Sequence, residues 1–169
     1  MQPVDPQAMR DTLRLWASGV SVVTTALATP TGNQRAGMTV SAFNSLSLEP
    51  PSILVCLSKA TTTVNLMAES DVFAVSILSE DSAELSDRFA GRHNLAENAD
   101  RFLGVETHTA STGSPILSAA LAWLDCKVCE RYDGNTHWIV IGEVVATGQR
   151  DANVSPLLYY DRGYRTIAP

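Results

Sequence analysis

Three cysteines, three histidines and twelve lysines and arginines are all that 169 residues supply of the side chains behind disulfide frameworks, metal sites and nucleic-acid surfaces. An odd number of cysteines suits a reducing compartment better than a secreted disulfide scaffold, so a cytoplasmic protein is expected. With a formal net charge of −6, the scarcity of basic residues excludes a broad phosphate-backbone footprint and any nucleic-acid partner, while leaving room for a local anion pocket. No run approaches the roughly 20 apolar residues that cross a bilayer. The opening MQPVDPQAMRDTLRLW lacks the charged start and apolar centre of a signal peptide, so no membrane partner is expected.

Several chemical fingerprints are missing as well. There is no G-x-G-x-x-G after a strand, no G-x-x-x-x-G-K-[ST] and no G-x-S-x-G, which excludes a Rossmann domain, a P-loop NTPase and an α/β-hydrolase. His93, His108 and His137 form no HxH or HxxxH pair, so no metal site is expected. Cys126-Lys127-Val128-Cys129 has C-x-x-C spacing, but an offset of three on a strand sends the two thiols to opposite faces, which favours a structural role.

What is present reads as one globular domain over residues 1–169, with 45% hydrophobic and 18% charged residues and a length sufficient for a core without staples. Residues 6–17 carry Met9, Leu13 and Trp16 at helical spacing, which predicts a helix packed across a sheet. Residues 20–29 are rich in valine and threonine, and Thr29-Pro30-Thr31-Gly32-Asn33 predicts a turn into a second strand. The stretch from Arg35 to Pro51 alternates as one extended segment: Met38, Val40, Ala42, Leu46 and Leu48 share one face, and Thr39, Ser41, Ser45 and Ser47 line the other beside Phe43. That row of hydroxyls is either a solvated face or a set of donors and acceptors for a polar ligand.

Residues 53–57 predict a short buried strand, and Ser58-Lys59-Ala60-Thr61-Thr62-Thr63 predicts a loop entering a helix with Thr61 or Thr62 at the N-cap. Free amides, hydroxyls and Lys59 would serve an anion there, although a plainly capped helix has the same pattern. Strand 71–78 is followed by an acidic helix start running to about residue 90, where Arg88 complements the carbonyl pole. A short helical piece is expected at 96–102 and a turn-rich segment at 109–115. Residues 119–130 and 137–147 predict long strands joined through the Asp133-Gly134 pair, and 154–160 a last short strand. His137 opens its strand with Ile139 and Ile141 on the same face, where an imidazole could donate a hydrogen bond or a proton. About seven strands and two or three helices predict a mainly β, largely antiparallel barrel with peripheral α-helices.

Taken together, these residues resemble the short-chain flavin reductases. The resemblance is carried by Gly37-Met38-Thr39-Val40-Ser41-Ala42-Phe43 with Ser45-Leu46-Ser47-Leu48-Glu49-Pro50-Pro51, by Phe73-Ala74-Val75-Ser76-Ile77-Leu78, by Leu85-Ser86-Asp87-Arg88-Phe89-Ala90, and by His137 five residues before Gly142-Glu143-Val144. It implies an FMN-binding split barrel of Greek-key topology, assembled as a homodimer, that takes FMN or FAD as flavin and NADH or NADPH as hydride donor. It further implies a flavin-dependent monooxygenase as the partner receiving reduced flavin. By the same resemblance, Met38, Thr39, Val40, Ser41, Ser45, Ser47 and Leu48 lie along the flavin, and Lys59, Thr61, Thr62 and Thr63 hold its phosphate. Arg88, Phe89 and Tyr160 stand nearby, and His137 attends the nicotinamide. The family's common Gly-Asp-His is here Gly134-Asn135-Thr136-His137, which removes an aspartate beside the histidine. Two alternatives share the fold: a flavoenzyme that keeps its flavin and reduces an organic substrate, and a non-enzymatic flavin- or haem-binding protein.

Overall fold

The computed structural model describes residues 2–92, 100–150 and 153–167. In chain order these form α1 (Pro6–Leu13), β1 (Ser18–Gly19), β2 (Ser21–Thr29), β3 (Gly32–Val40), β4 (Phe43–Leu48), β5 (Pro51–Ser58), α2 (Thr62–Ser70) and β6 (Val72–Ile77). There follow α3 (Ala83–Phe89), β7 (Thr107–His108), β8 (Ile116–Leu117), β9 (Ala122–Gly134), β10 (His137–Gln149), β11 (Leu158–Tyr160) and β12 (Gly163–Arg165). The main sheet has seven strands in the order β3-β2-β6-β9-β10-β5-β4, each pair antiparallel.

That order determines the shape. Strands β3 and β4 occupy opposite edges of the sheet, yet only Ser41 and Ala42 separate them, so the sheet must curl until its edges approach. The Cys56 N–H donates to the Ala42 carbonyl at 2.9 Å and carries the corner onto β5. Inside the curl, Val23, Val40, Val55, Leu57, Val75 and Val140 form the core, closed at one side by Val64 and Met67 of α2. A second core on the outer face of β2 gathers Val20, Val22, Leu78, Phe89, Phe102, Leu117 and Leu157. Strand β2 is therefore buried on both faces from Ser21 to Thr25, which is why its valines and threonines do not alternate with polar residues.

Several expectations need correction. The stretch from Arg35 to Pro51 is not one extended segment, because the chain turns at Ser41-Ala42 and a register shift between Ser45 and Ser47 interrupts β4. The apolar alternation fails beyond that corner: Leu46 and Leu48 are 49% and 82% exposed. The helix at the N-terminus ends at Leu13 and buries none of its residues. It does not pack across the sheet; Arg14 to Asp161 and Arg162 to Asp11 ion pairs, both 2.6 Å, tether it to the β11–β12 turn. Asp133 and Gly134 are not the hairpin turn, since they pair with Trp138 and His137 and Asn135-Thr136 makes the reversal. Asn135 takes φ 64°, a conformation asparagine tolerates, and the Asp133 carboxylate accepts its N–H at 2.8 Å.

The last strand is shorter than expected, covering only Leu158–Tyr160, and pairs with β12, which was not among the expected strands. Asp161 and Arg162 both take positive φ between them, as a two-residue hairpin requires. Of the helical piece expected at 96–102, residues 96–99 lie outside the described residues, and 101–104 form turns rather than helix. Cys126 is buried and Cys129 exposed, so the two thiols do point apart. Burial, with Asp125 alongside, pushes the Cys126 thiol up to about 12, which removes it from thiolate chemistry near neutrality.

Candidate functional site

The N-terminus of α2 opens into a cleft of about 570 Å³, lined by Ala60, Thr61, Thr62 and Thr63 on one side and by Asn33, Arg35, Ala36 and Gly37 of β3 on the other. Asp100, Arg101 and Phe102 close its third wall. Thr61 is the N-cap: its hydroxyl oxygen accepts the Val64 N–H at 3.4 Å and its O–H donates to the Ser58 carbonyl at 2.9 Å. The N–H groups of Thr62 and Thr63 have no acceptor among the described residues, as expected for the first turn of a helix. Thr61 Oγ1 also lies 3.6 Å from Met38 Sδ. The helix start and the middle of β3 are thus in contact.

The sequence-predicted residues divide into groups. Thr61, Thr62 and Thr63 line this cleft, and Met38 reaches it through Thr61. Thr39 and Ser41 border a second hollow of about 160 Å³ with Ser86, Arg92, Tyr159 and Tyr164. There the Thr39 O–H donates to the Ser86 carbonyl at 2.6 Å, so toward a ligand this hydroxyl acts as an acceptor. Val40 is a core residue at 5% exposure. Ser45, Ser47 and Leu48 stand on edge strand β4, beyond the corner. Lys59 is committed to Asp133 at 2.7 Å and lies over the Trp138 ring at 4.4 Å.

Arg88 and Phe89, neighbours in sequence, diverge. Arg88 borders a separate hollow with Glu106 and Leu117. Phe89 is fully buried, edge-on to Phe102 at 5.0 Å. Its ring packs so closely beneath Gly37 that a Cβ there would stand 2.9 Å from Phe89 Cε1. Phe89 therefore supports the floor of the cleft through Gly37 and presents no free face. His137 is exposed at the start of β10, with Nδ1 2.9 Å from Thr136 Oγ1. Tyr160 is 38% exposed at the end of β11.

Several lining residues escaped the sequence reading. Arg35 stood in a recognised stretch without an assigned role, and nothing local connects it to residues 100–102. In the fold Arg35 Nη2 bonds to Asp100 Oδ2 at 2.8 Å, and its guanidinium lies over the Phe102 ring at 4.7 Å. That hydrogen bond, aided by the Phe102 N–H, holds the Asp100 carboxyl below the usual range against partial burial. Arg101 donates from Nη1 to the carbonyls of Phe89 and Gly37 at 2.7 and 3.3 Å. At the second hollow, Tyr164 donates to Asp87 at 2.6 Å. Burial first, and then this acceptor, push its phenol up.

Two arginines face one carboxylate in the cleft, and the unpaired amides of a helix start add a positive pole. A flavin phosphate fits this donor set, and the hydroxyl-bearing part of β3 leads away from it. An antiparallel barrel with a helix start opened against one wall strand is the architecture of a cofactor-binding split barrel. The sequence profile of the flavin reductase like domain matches residues 13–168, and the chain belongs to that family. It is 37% identical over 169 residues to the reductase component of a 4-nitrophenol 4-monooxygenase/4-nitrocatechol 2-monooxygenase of Rhodococcus opacus, covering 100% of this chain and 85% of that one. It is 32% identical over 167 residues to the FMN reductase (NADH) RutF of Bradyrhizobium diazoefficiens, covering 99% and 88%. Among solved structures, the NADH:FAD oxidoreductase SgcE6 of Streptomyces globisporus, in complex with NAD and FAD fragments, superposes with a TM-score of 0.85 at 28% identity, covering 100% of this chain and 98% of that one.

Proposed function

We propose that the protein is an NAD(P)H-dependent flavin reductase that supplies reduced flavin to a separate flavin-dependent monooxygenase. The observation that carries this reading is the contact of the open α2 start with β3 through Thr61 and Met38, which sets a phosphate-type site against the strand that carries Thr39. A flavin, when bound, accepts hydride from a reduced nicotinamide. The chain's own part is placement. The N–H groups of Thr62 and Thr63 hold phosphate, Thr39 accepts and Ser41 donates or accepts along the ring, and Met38 gives an apolar contact between them. His137, exposed and oriented by Thr136, serves the nicotinamide side as a hydrogen-bond donor or proton source.

The working unit in this reading is a homodimer. Val55, Leu57 and Val140 point into the barrel, so the alternating Leu54, Cys56, Ile139 and Ile141 point outward. Ile139 pairs with Cys56 and Tyr132, and Ile141 with Leu54, making an apolar stripe across three strands on the outside, where a second copy would bury it.

Under anaerobic conditions, purified protein with NADH or NADPH and excess FMN or FAD bleaches the flavin's visible absorbance. No turnover with any pairing would reject the reductase. Thr62→Ala with Thr63→Ala weakens flavin binding by removing the two side chains that line the cleft beside those N–H groups; an unchanged affinity would leave the phosphate to the backbone alone or move it elsewhere.

A further inference from the structure

Building on the reductase reading and its use of His137, we infer that Asp133 and Lys59 are positioning residues for that histidine: their ion pair fixes the β9–β10 turn, and through it the imidazole, against the loop that leads into α2. Several contacts fasten the turn. Asp133 Oδ1 accepts from Lys59 Nζ at 2.7 Å and from the Asn135 N–H at 2.8 Å, so one carboxylate oxygen holds both the turn's own backbone and a side chain from another strand's end. The Lys59 N–H in its turn donates to the Thr136 carbonyl at 3.1 Å. Thr136 is the residue whose Oγ1 lies 2.9 Å from His137 Nδ1. The hydroxyl that orients the ring therefore sits on a turn that Lys59 and Asp133 hold.

Lys59 is fixed in direction as well. Its ammonium lies over the Trp138 ring at 4.4 Å, and Trp138 is the cross-strand partner of Asp133, so Lys59 rests on both members of one strand pair. Lys59 first, and then the Asn135 N–H, hold the Asp133 carboxyl below its usual range, which keeps it charged near neutrality. The Asp133 side chain is 63% exposed, and an ion pair this open adds little to stability. Its consequence is geometric. Lys59 immediately precedes Ala60 and Thr61 in the cleft wall, and His137 pairs with Ser58 in the β5–β10 ladder. The histidine is thereby tied to the loop that carries the α2 start, and the ammonium that the sequence offers to a phosphate is turned to Asp133 instead.

A double-mutant cycle tests this. Steady-state kcat and KM are measured for whichever of NADH and NADPH the wild type oxidises faster, and flavin affinity by fluorescence, in the wild type, Asp133→Asn, Lys59→Met, His137→Ala and Asp133→Asn combined with His137→Ala. Asp133→Asn keeps an acceptor for the Asn135 N–H and Lys59→Met keeps an apolar stem on Trp138, so each removes the ion pair with the turn's other contacts in place. Each should raise the nicotinamide KM at least about threefold with kcat less affected, the cost of a displaced contact group, while flavin affinity stays within about twofold. Asp133→Glu should recover most of the loss. Once His137 is alanine, Asp133→Asn should change nothing further, because the pair acts through the ring. An unchanged KM in Asp133→Asn, or an equal rise with His137 removed, would overturn the inference. So would a parallel loss of flavin affinity, since the pair would then be supporting the α2 start. Wild-type nicotinamide kinetics in His137→Ala would defeat the histidine's role and this inference while the reductase stands, whereas no turnover by the wild type with any flavin rejects the reductase reading itself.

Discussion

Gly37 sits where the cleft floor and the second core meet, and its lack of a side chain lets the Phe89 ring lie directly under β3. An added Cβ would stand 2.9 Å and 3.0 Å from Phe89 ring carbons and 3.1 Å from Thr24 Cγ2. Both neighbours are fully buried, so neither can swing into solvent to relieve the contact. Gly37→Ala should therefore cost about 1–3 kcal/mol in denaturant unfolding, the usual range for overpacking, and should weaken flavin binding because β3 must shift. A variant as stable as the wild type would show that Phe89 can repack. Residue identity alone marked this glycine as part of a motif. Its physical reason became visible only with residues 24 and 89 brought against it.

Among the elements, α2 is the one whose start was legible in advance to within one residue. Thr61 was expected at or next to the N-cap and is the N-cap, because a hydroxyl side chain just before a run of buried residues satisfies a helix's first amides. Thr61→Ala should lower stability by about 1 kcal/mol, and Thr61→Ser should restore most of it. Because Thr61 also bonds to Ser58 and touches Met38, the alanine variant should raise the flavin dissociation constant as well. A loss of stability with flavin affinity unchanged would mean that the cap holds the helix without shaping the site. The β9–β10 hairpin was legible as a hairpin but not in its turn. Asp133-Gly134 is the stronger local turn signal, yet the ladder with β10 keeps both residues in the strand and leaves Asn135-Thr136 to reverse the chain. α1 shows the converse: its apolar spacing is real, but the sheet offers it no surface, so Met9, Leu13 and Trp16 remain 58%, 54% and 76% exposed.

For the whole molecule, the homodimer reading places the outward stripe of Leu54, Cys56, Ile139 and Ile141 between two copies. Ile139 is 37% exposed in the single chain, so Ile139→Asp leaves the barrel core untouched and acts on association. Light scattering after gel filtration should find the wild type as a dimer and Ile139→Asp as a monomer. A wild type that is already monomeric would remove the homodimer from the proposal.

By itself the sequence determined the composition of this fold: mainly antiparallel strands, a hairpin at Thr29 to Gly32, a capped α2, and hydroxyls at Thr39 and Ser41 where β3 ends. Each of these rests on neighbours a few residues apart, where backbone propensity, side-chain alternation and capping act. Only the tertiary structure decided that the hydroxyl row stops at Ser41, that Phe89 lies beneath the site rather than in it, and that Arg35 meets Asp100 and Phe102 to extend the cleft past the helix start. The reason is that curling the sheet brings together residues more than fifty positions apart. Such pairings are set by strand order and register across the whole barrel, which no local pattern specifies.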